Sequence, residues 1–372
     1  MTEPIRVGVI GASPERGWAT MSHLPALTAL PDFEITAVAT TRTGSARRAA
    51  ERCGAAHAFT DPARLSGHPD VDLVVVAVKT PDHADLVLPA LDAGKHVYCE
   101  WPLARTTKEA EVMAEAAAQA GVHHAVGLQA RHAPAVRHAR SLLTGGAIGR
   151  VTGVHVYAAR AKGVGGTITS DAVYTLDRRN GAGTLEVAGG HTLDLLEFLA
   201  GPVTRLSADL CVRQPRLTVS DTAESVGVTS PDHVMVQGLL GTGVPVSVHI
   251  HDGKSGDART RLEFSGTRGS LAVVSEGPAA GHGIQVSDVH LYEATATDTA
   301  WTHLDTPPAH TAPVDVPATA VRNVAELYTA LAADIRTGTR TVPDFETGLR
   351  LHGLLDTVRA SDESAAGQVR GL

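Results

Sequence analysis

The sequence of 372 residues predicts an α/β fold with two domains, one built on a parallel sheet and one on a large open, mostly antiparallel sheet. Residues 73–78 form an unbroken apolar run with four valines, typical of a strand buried on both faces of a parallel sheet. A helical segment, residues 84–93, and another strand, residues 95–99, follow that run. Strands with alternating side chains, separated by glycine turns, fill residues 203–292 and indicate an antiparallel or mixed sheet.

Composition and charge narrow the classes of partner. The net charge is −8 and no long basic run is present, which argues against a nucleic-acid partner. No apolar run has the length of a membrane span, and the first residues lead into a predicted strand without a signal peptide. Three scattered cysteines are expected to be reduced thiols of a cytoplasmic protein. Among the 19 histidines no metal signature is recognised, so we expect no metal site.

A glycine-rich turn follows the first predicted strand, residues 5–10. Gly11 occupies the first position of a loosened G-x-G-x-x-G pattern, Ser13 replaces the second glycine, and Gly17 comes one residue late, just before Trp18. Backbone N–H groups of such a turn can bind a pyrophosphate at a helix N-terminus. The pattern predicts a Rossmann dinucleotide-binding domain, although the turn taken alone also fits a plain connection between a strand and a helix.

The end of the second predicted strand, residues 34–39, bears on the choice of cofactor. Thr40, Thr41 and Arg42 follow it, and none is the acidic residue that would bind the ribose 2′-hydroxyl of NAD. Hydroxyl and guanidinium groups suit a 2′-phosphate, so NADP is favoured and NAD remains possible. An ordinary solvated helix start is the alternative.

Three short motifs near these strands carry a family resemblance, namely Thr80-Pro81, Ala93-Gly94-Lys95-His96-Val97 and Glu100-Trp101-Pro102. They resemble the glucose–fructose oxidoreductase, inositol dehydrogenase and rhizopine-catabolism (Gfo/Idh/MocA) family, whose members show E-K-P at the third motif. Trp101 replaces the lysine that usually handles the proton in that family. The E-W pair is similar to the galactose-regulon repressor branch, whose founding members are nucleotide-binding sensors.

The resemblance and the glycine turn together give a set of expected cofactor contacts at the ends of the strands. The set is Gly11, Ser13, Gly17, Trp18, Thr40, Thr41, Arg42, Lys79, Pro81, His83, Glu100, Trp101 and Pro102. Lys79 could also act catalytically in place of the missing lysine, with a cofactor or structural contact as the alternative. The Trp101 ring could wall the nicotinamide side of the site, or it could simply pack.

A second group of polar residues lies in the second domain, where His191 and Asp194 are about one helical turn apart. They match the family pattern D-x-G-x-H-x-x-D, which implies that His191 is the acid/base and substrate contact and that Asp194 orients it. Val187 replaces the first Asp of the pattern. Glu186 is one position early, and extended backbone is expected to turn it away from the site.

Two further residues are expected to contact the substrate. Arg131 lies in the segment where the resemblance places the change of domain, with an ordinary surface arginine as the alternative. Tyr157 lies on a strand, on the face away from Val154 and Val156. His249 and His251 share one face of another strand, where they could line a cleft, form a subunit contact or simply be solvated.

The expected organisation is a Rossmann domain, residues 1–128, and a substrate and oligomerisation domain, residues 129–372. The C-terminal helices, about 318–360, are expected to pack back near the domain junction, and residues 361–372 to fray. The expected function is an NAD(P)-dependent oxidoreductase acting on a sugar, cyclitol or related carbonyl or alcohol, assembled as a homodimer or homotetramer. A non-catalytic dinucleotide sensor with a protein partner is the alternative.

Overall fold

The chain separates into two compact units in the computed structural model. The structure describes residues 3–298, 300–310, 316 and 319–365. The first unit holds residues 1–132 and 312–350, and the second holds residues 133–311 and 351–372. The expected division at 128/129 therefore omits a second contribution to the first unit, from residues 312–350.

Six parallel strands form the sheet of the first unit. They are β1 Ile5–Ile10, β2 Phe33–Ala39, β3 His57–Phe59, β4 Leu73–Val76, β5 His96–Cys99 and β6 His124–Val126. The spatial order is β3-β2-β1-β4-β5-β6, and every pairing is parallel. This is the order of dinucleotide-binding sheets, in which the strand order reverses between β1 and β4. All four residues of β4 are fully buried, as the apolar run predicts.

Helices connect these strands. They are α1 Leu24–Ala29, α2 Thr43–Cys53, α3 Pro62–Ser66, α4 His83–Asp92 and α5 Thr107–Ala120. The Thr106 side chain accepts a hydrogen bond from the Glu109 N–H at 3.2 Å and so caps α5, and Gly121 ends the helix with φ +67°.

The C-terminal helices are α8 Thr319–Thr337 and α9 Phe345–Ala365, numbered after the two helices of the second unit. Within the first unit α8 packs against α1 and against the short helical turn Gln129–His132. The buried Asp334 carboxylate accepts hydrogen bonds from the backbone N–H groups of Thr341 and Val342, which fixes the turn between the two helices. These contacts explain why residues 312–350 belong to the first unit.

Among its described residues, the second unit contains helices α6 Pro134–Thr144 and α7 Gly190–Ala200, the part of α9 from residue 351, and eleven strands. The strands are β7 Val151–Ala159, β8 Thr167–Ile168, β9 Val203–Cys211, β10 Arg216–Val219, β11 Ser225–Gly227, β12 His233–Leu240, β13 Pro245–His251, β14 Thr260–Gly266, β15 Gly269–Glu276, β16 Asp288–Thr295 and β17 Thr302–Leu304. Eight of them form one sheet in the order β17-β16-β15-β14-β7-β13-β12-β9. The pairing of β7 with β13 is parallel, and the other described pairings in this sheet are antiparallel.

The expectation of a single sheet over residues 203–292 needs one correction. Strands β10 and β11 leave the large sheet and pair with β8 in a separate three-stranded sheet. Leu217 and Val219 of β10 pack there with Ile168 and Leu176 in a small apolar cluster of their own. Strand alternation cannot distinguish these two sheets, because both have one buried and one exposed face.

The end of α9 is ordered where fraying was expected. The helix continues to Ala365, and its Ser361 and Asp362 side chains accept hydrogen bonds from the backbone N–H groups of Ala208 and Leu210 on β9. Residues 366–372 of the expected frayed tail lie outside the described residues. No helix in the described part of the chain is long and apolar enough to span a membrane.

Candidate functional site

The glycine turn after β1 is held tightly against the neighbouring strand. Gly11 has φ +97°, and a Cβ atom at this position would lie 2.4 Å from the backbone oxygen of Ala77. Any side chain would therefore collide with backbone as well as strain the dihedral angle. Gly17 also has positive φ, but a Cβ there would meet open space. Trp18 is half-buried and packs edge-on against His23.

A groove with a volume of about 530 Å³ opens at the carboxyl ends of the first unit's strands. Its lining residues are Ile10, Gly11, Ser13, Ala39, Thr40, Thr41, Thr60, Pro62, Val78, Asp82, Asp85 and Leu86. Because ligands of doubly wound sheets bind at this edge, near the reversal of strand order, the groove is the candidate dinucleotide site. It brings together four of the expected contacts, namely Gly11, Ser13, Thr40 and Thr41.

The end of β2 is a cluster of hydroxyl groups. The Thr40 Oγ1 and Ser45 Oγ atoms lie 2.6 Å apart, and the Ser45 hydroxyl donates to the Arg42 carbonyl at 2.9 Å. Arg42 and Thr41 are exposed beside this cluster, and Arg42 forms no ion pair within the described ranges. Arg48 is paired with Glu15 at 2.6 Å. Thus Arg42 is available for an anionic ligand, while Arg48 is already neutralised.

His83 lies between the loops that follow β4 and β5 at the carboxyl ends of the strands. The ring is buried, with Nδ1 2.9 Å from the Pro102 carbonyl oxygen and Nε2 3.2 Å from that of Val78. Burial lowers the pKa of His83, and the nearby carbonyl groups oppose that shift. His83 thereby joins the loops after β4 and β5, a supporting position that differs from the expected cofactor contact. Lys79 is exposed, and Pro81 is part of the helical turn Thr80–Asp82 in the loop after β4.

Glu100 is the centre of a buried polar network. Its Oε1 lies 2.9 Å from His23 Nε2, and His23 Nδ1 lies 2.7 Å from the Tyr328 hydroxyl. The carboxylate packs directly against Gly127. A Cβ atom added to Gly127 would lie 2.8 Å from Oε1, so a larger residue would collide with the carboxylate. Tyr98 packs beside this group, and burial, followed by the Glu100 charge, raises its pKa well above the usual range. Trp101 is buried in turn, with 5% of its surface exposed, which favours the packing interpretation of its ring.

His191 and Asp194 lie at the start of α7 in the second unit, and both are buried. The backbone before them corrects one expectation, because residues Leu185–Gly189 form a π-helical turn that continues into α7. The Gly189 N–H donates to the Thr184 carbonyl, five residues earlier, at 2.8 Å. Such a turn brings residues five apart toward one side of the helix. Glu186 and His191 have this spacing, so the extended backbone expected at Glu186 is wrong.

A buried ionic group lies beside that turn, and no motif in the sequence predicts it. Arg160 follows β7 and Asp252 follows β13, and their side chains form two hydrogen bonds of 2.8 and 3.1 Å. Arg160 also donates to the Thr184 hydroxyl at 3.0 Å. Because β7 and β13 are adjacent and parallel, their carboxyl ends place these residues side by side. That pairing joins residues 92 positions apart, so a local sequence pattern could not have found it.

Lys162 borders the same group, with its ammonium 3.8 Å from Asp252. Burial, and then the charge of Arg160, lower the pKa of Lys162 from the ordinary 10.5 to about 8. The adjoining cavity of about 20 Å³ has room for roughly one water molecule. It is therefore too small for a sugar, and these residues form a buried network beside the π-helical turn.

Tyr157 lies on the other face of the large sheet from the π-helical turn. A Cβ atom on Gly189 would lie 4.0 Å from the Ile250 side chain, so the turn packs on the face that Ile250 shares. Tyr157 contacts His251, its hydroxyl 3.0 Å from Nε2, and His251 is adjacent to Ile250 on β13 and points the opposite way. The structure therefore separates Tyr157 from His191. Arg131 is half-buried in the turn Gln129–His132 of the first unit.

These features define a dinucleotide-binding fold joined to a second α/β unit. Residues 5–128 match the oxidoreductase family with an NAD-binding Rossmann fold (GFO_IDH_MocA), and residues 134–275 match the C-terminal domain of Gal80p. The dehydrogenase aclE of Aspergillus oryzae is 33% identical over 75% of this chain and 78% of that protein. The chain therefore belongs to the Gfo/Idh/MocA oxidoreductase family, as the sequence motifs predict.

Two other relatives represent different activities. The galactose/lactose metabolism regulatory protein GAL80 of Saccharomyces cerevisiae is 28% identical over 78% of this chain and 70% of that protein. A crystal structure of a super-repressor mutant of Gal80p has a TM-score of 0.85, covering 98% of this chain and 97% of that chain. Levoglucosan dehydrogenase of Pseudarthrobacter phenanthrenivorans is 27% identical over 72% of this chain and 73% of that protein. The family thus contains a regulator and dehydrogenases, with the Gal80-like branch among the similar proteins.

Proposed function

We propose that this chain is an NAD(P)-dependent oxidoreductase acting on a sugar, a cyclitol or a related carbonyl or alcohol. The observation that carries the proposal is the groove of about 530 Å³ beside Gly11, at the edge where doubly wound sheets bind dinucleotides. The tight approach of Gly11 to Ala77 fits the close backbone turn that a pyrophosphate requires. Relatives named as dehydrogenases, including a levoglucosan dehydrogenase, support the substrate class.

NADP is the proposed cofactor. The exposed Arg42 beside the Thr40 and Ser45 hydroxyls offers a cation and hydrogen-bond donors, which suit a 2′-phosphate. No carboxylate occurs from residue 40 to residue 45 to accept a ribose 2′-hydroxyl. The acidic residues that line the groove, Asp82 and Asp85, come from the beginning of α4 and not from the segment that follows β2.

Proton exchange with the substrate is assigned to His191. When bound, the nicotinamide supplies or accepts the hydride, and the protein must then exchange the hydroxyl proton. An imidazole is suited to this step near neutral pH. Asp194 lies three residues later on the same helix and is proposed to orient the ring. Glu186, five residues earlier on the π-helical turn, is ion-paired with Arg359 at 2.7 Å. Lys79 is exposed after Val78, which lines the groove, and is proposed as a contact to the bound cofactor.

A dinucleotide sensor is the second candidate function. Trp101 is buried where the family signature has a lysine, so the ammonium that usually handles the proton is absent at this position. The match to the Gal80p C-terminal domain and the similarity to GAL80 favour the same alternative. A sensor would bind the nucleotide and a protein partner without turnover.

A homodimer or homotetramer is proposed through the face of the large sheet that carries Tyr157. Met235, with 37% of its surface exposed, lies opposite His249 on this face. A broad sheet face with half-exposed rings suits contact with a second copy. Light scattering at micromolar concentration tests this, because a monomer mass would contradict it.

The experiment that decides between enzyme and sensor uses the full chain. NADPH and NADH are titrated by fluorescence, and the nicotinamide absorbance is then followed with a panel of sugars, cyclitols and ketones. Oxidoreductase function predicts tight NADPH binding and a change of absorbance with at least one compound. Tight binding without turnover across the panel would support the sensor, and absence of nucleotide binding would contradict both candidates.

A further inference from the structure

A cluster of two histidines and one carboxylate lies at the amino-terminal ends of strands in the first unit, whereas the groove lies at the carboxyl ends. His57 is the first residue of β3, and His68 and Asp70 lie in the connection from α3 to β4. His57 Nε2 is 3.1 Å from Asp70 Oδ2, and His68 Nδ1 is 3.9 Å from the same oxygen. One nitrogen of each ring and one carboxylate oxygen all lie within 4.8 Å of one another.

The two separations that involve Asp70 are close to those of a tetrahedral zinc site. Zinc binds imidazole nitrogen at about 2.0–2.1 Å and carboxylate oxygen at about 2.0–2.2 Å, which places neighbouring ligands roughly 3.3 Å apart. The 3.1 Å pair is already near that value, and the 3.9 Å pair requires movement of about half an ångström. Two histidines and one carboxylate form a ligand set that late first-row divalent metals accept.

The hydrogen bonds around the cluster orient the ligands. Asp70 Oδ1 is held by Arg6 at 3.3 Å, and Oδ2 is thereby directed toward the histidines. Arg6 is fixed in turn by Asp72 through bonds of 2.9 and 2.7 Å. Contacts such as those of Arg6, made to the atom that does not bind the metal, commonly orient metal-binding side chains. His68 Nδ1 accepts the Asp70 N–H at 3.2 Å, so metal binding would take the lone pair of this nitrogen from that hydrogen bond.

The exposure of the cluster leaves one coordination position open. The side chains of His57, His68 and Asp70 are 32%, 23% and 49% exposed, so water can reach a metal held between them. We propose that His57, His68 and Asp70 bind Zn²⁺ with water as the fourth ligand. The metal clamps β3, an edge strand of three residues, to the connection that precedes β4. Thr60 and Pro62, just after β3, line the groove, so the clamp would support that wall.

This inference departs from the expectation of no metal site. The three residues follow the spacing H-x10-H-x-D, which is not a recognised signature, and the fold brings His57 next to Asp70 through the neighbouring connection. Zinc binding is independent of the proposed oxidoreductase function, because it is measured on the chain without nicotinamide nucleotide.

The test titrates the chelator-treated full chain with Co²⁺ alone and then displaces it with Zn²⁺. The parent is expected to bind one Co²⁺ with a visible absorption band, and His57→Ala and Asp70→Asn should each weaken binding by at least about tenfold. His249→Ala removes a half-buried histidine of β13 in the second unit and should leave the affinity unchanged. A parent without the band, an unchanged affinity in Asp70→Asn, or a loss in His249→Ala would overturn the proposal.

A second variant gives a positive signal and does not depend on a loss of function. In Asp70→Cys a thiolate replaces the carboxylate, and Co²⁺ binding should add a strong sulfur-to-metal band in the near ultraviolet. Circular dichroism establishes that each variant is folded. Binding of Co²⁺ by folded Asp70→Cys without the added band would overturn the assignment of Asp70 as a ligand.

Discussion

His23 and Glu100 are joined in the interior of the first unit, with His23 Nε2 2.9 Å from Glu100 Oε1. Residues 77 positions apart in the chain thus meet, and Tyr328 of α8 closes the network through the other ring nitrogen. Glu100 belongs to the E-W-P motif, so this family signature is anchored by a histidine from the segment that follows the glycine turn. The motif and the turn are therefore fixed to each other by one buried imidazole.

Replacing His23 by alanine should destabilise the first unit. His23→Ala leaves the buried Glu100 carboxylate and the Tyr328 hydroxyl without their partner, at a cost of about 3 kcal/mol. Urea unfolding monitored by tyrosine and tryptophan fluorescence measures the change. His303→Ala, at a side chain that is 45% exposed, is the matched control and should cost much less. Equal losses in the two variants would contradict a special role for the pair.

Arg42 should determine the preference for NADPH. Arg42→Ala removes a charged donor for the 2′-phosphate, so the Kd for NADPH should rise about tenfold while that for NADH stays nearly constant. Fluorescence titration of both nucleotides gives the two constants. Arg47→Ala, at an exposed arginine of α2, the helix that follows Arg42, is the control. Equal affinities for NADPH and NADH in the parent would refute the proposed preference.

His191→Ala should lower turnover by roughly 10²–10⁴-fold, the usual contribution of a general acid or base. Nucleotide affinity should change little, because the groove is formed by residues of the first unit. Initial rates and nucleotide titrations, compared with His155→Ala at an exposed histidine of β7, separate the two effects. If His191→Ala kept the turnover rate of the parent, the assignment of His191 as the general acid or base would be wrong. Trp101→Lys is the complementary variant, since it restores the ammonium of the family signature.

Lys162 should make stability depend on pH above neutrality. Its pKa in the folded chain is about 8, against an ordinary 10.5, so between these values the unfolded chain binds the proton and the folded chain does not. Stability attributable to this group therefore rises with pH across that window, by roughly 3 kcal/mol in total. Below about pH 8 the folded chain carries the buried ammonium at its full cost.

Lys162→Met tests this directly through urea unfolding at several pH values across the window. The difference in unfolding free energy between parent and variant should change with pH, whereas Lys108→Met, at an exposed lysine of α5, should give a constant difference. Parallel curves for parent and Lys162→Met would show that the lysine titrates normally.

Sequence patterns predicted the first sheet well because its signals are local. The apolar run that becomes β4 and the glycine turn at Gly11 each depend on neighbouring residues. Strand β3 has only three residues, His57–Phe59, and no alternation to reveal it. The π-helical turn at Leu185–Gly189 was missed for a different reason, since one additional residue in a helical turn leaves the apolar spacing nearly unchanged.

The polar groups that were missed depend on contacts between distant segments. Arg160 and Asp252 meet because two strands are parallel and in register, and His57 reaches Asp70 because the connection from α3 to β4 passes beside the start of β3. Neither arrangement leaves a spacing that can be recognised in the chain. That His191 and Asp194 lie about one turn apart could be predicted because both belong to one helix, and their roles stay a prediction.

The side chains of Ser361 and Asp362 occupy backbone donors along the outer strand β9. A β-strand from another molecule would need those same N–H groups to add to the sheet. The end of α9 therefore prevents a strand of another molecule from pairing with β9. In a chain truncated before residue 361 these N–H groups would be unpaired, and the sheet edge would be prone to aggregation. Growth of the sheet into a fibril is blocked on this side by two short side chains.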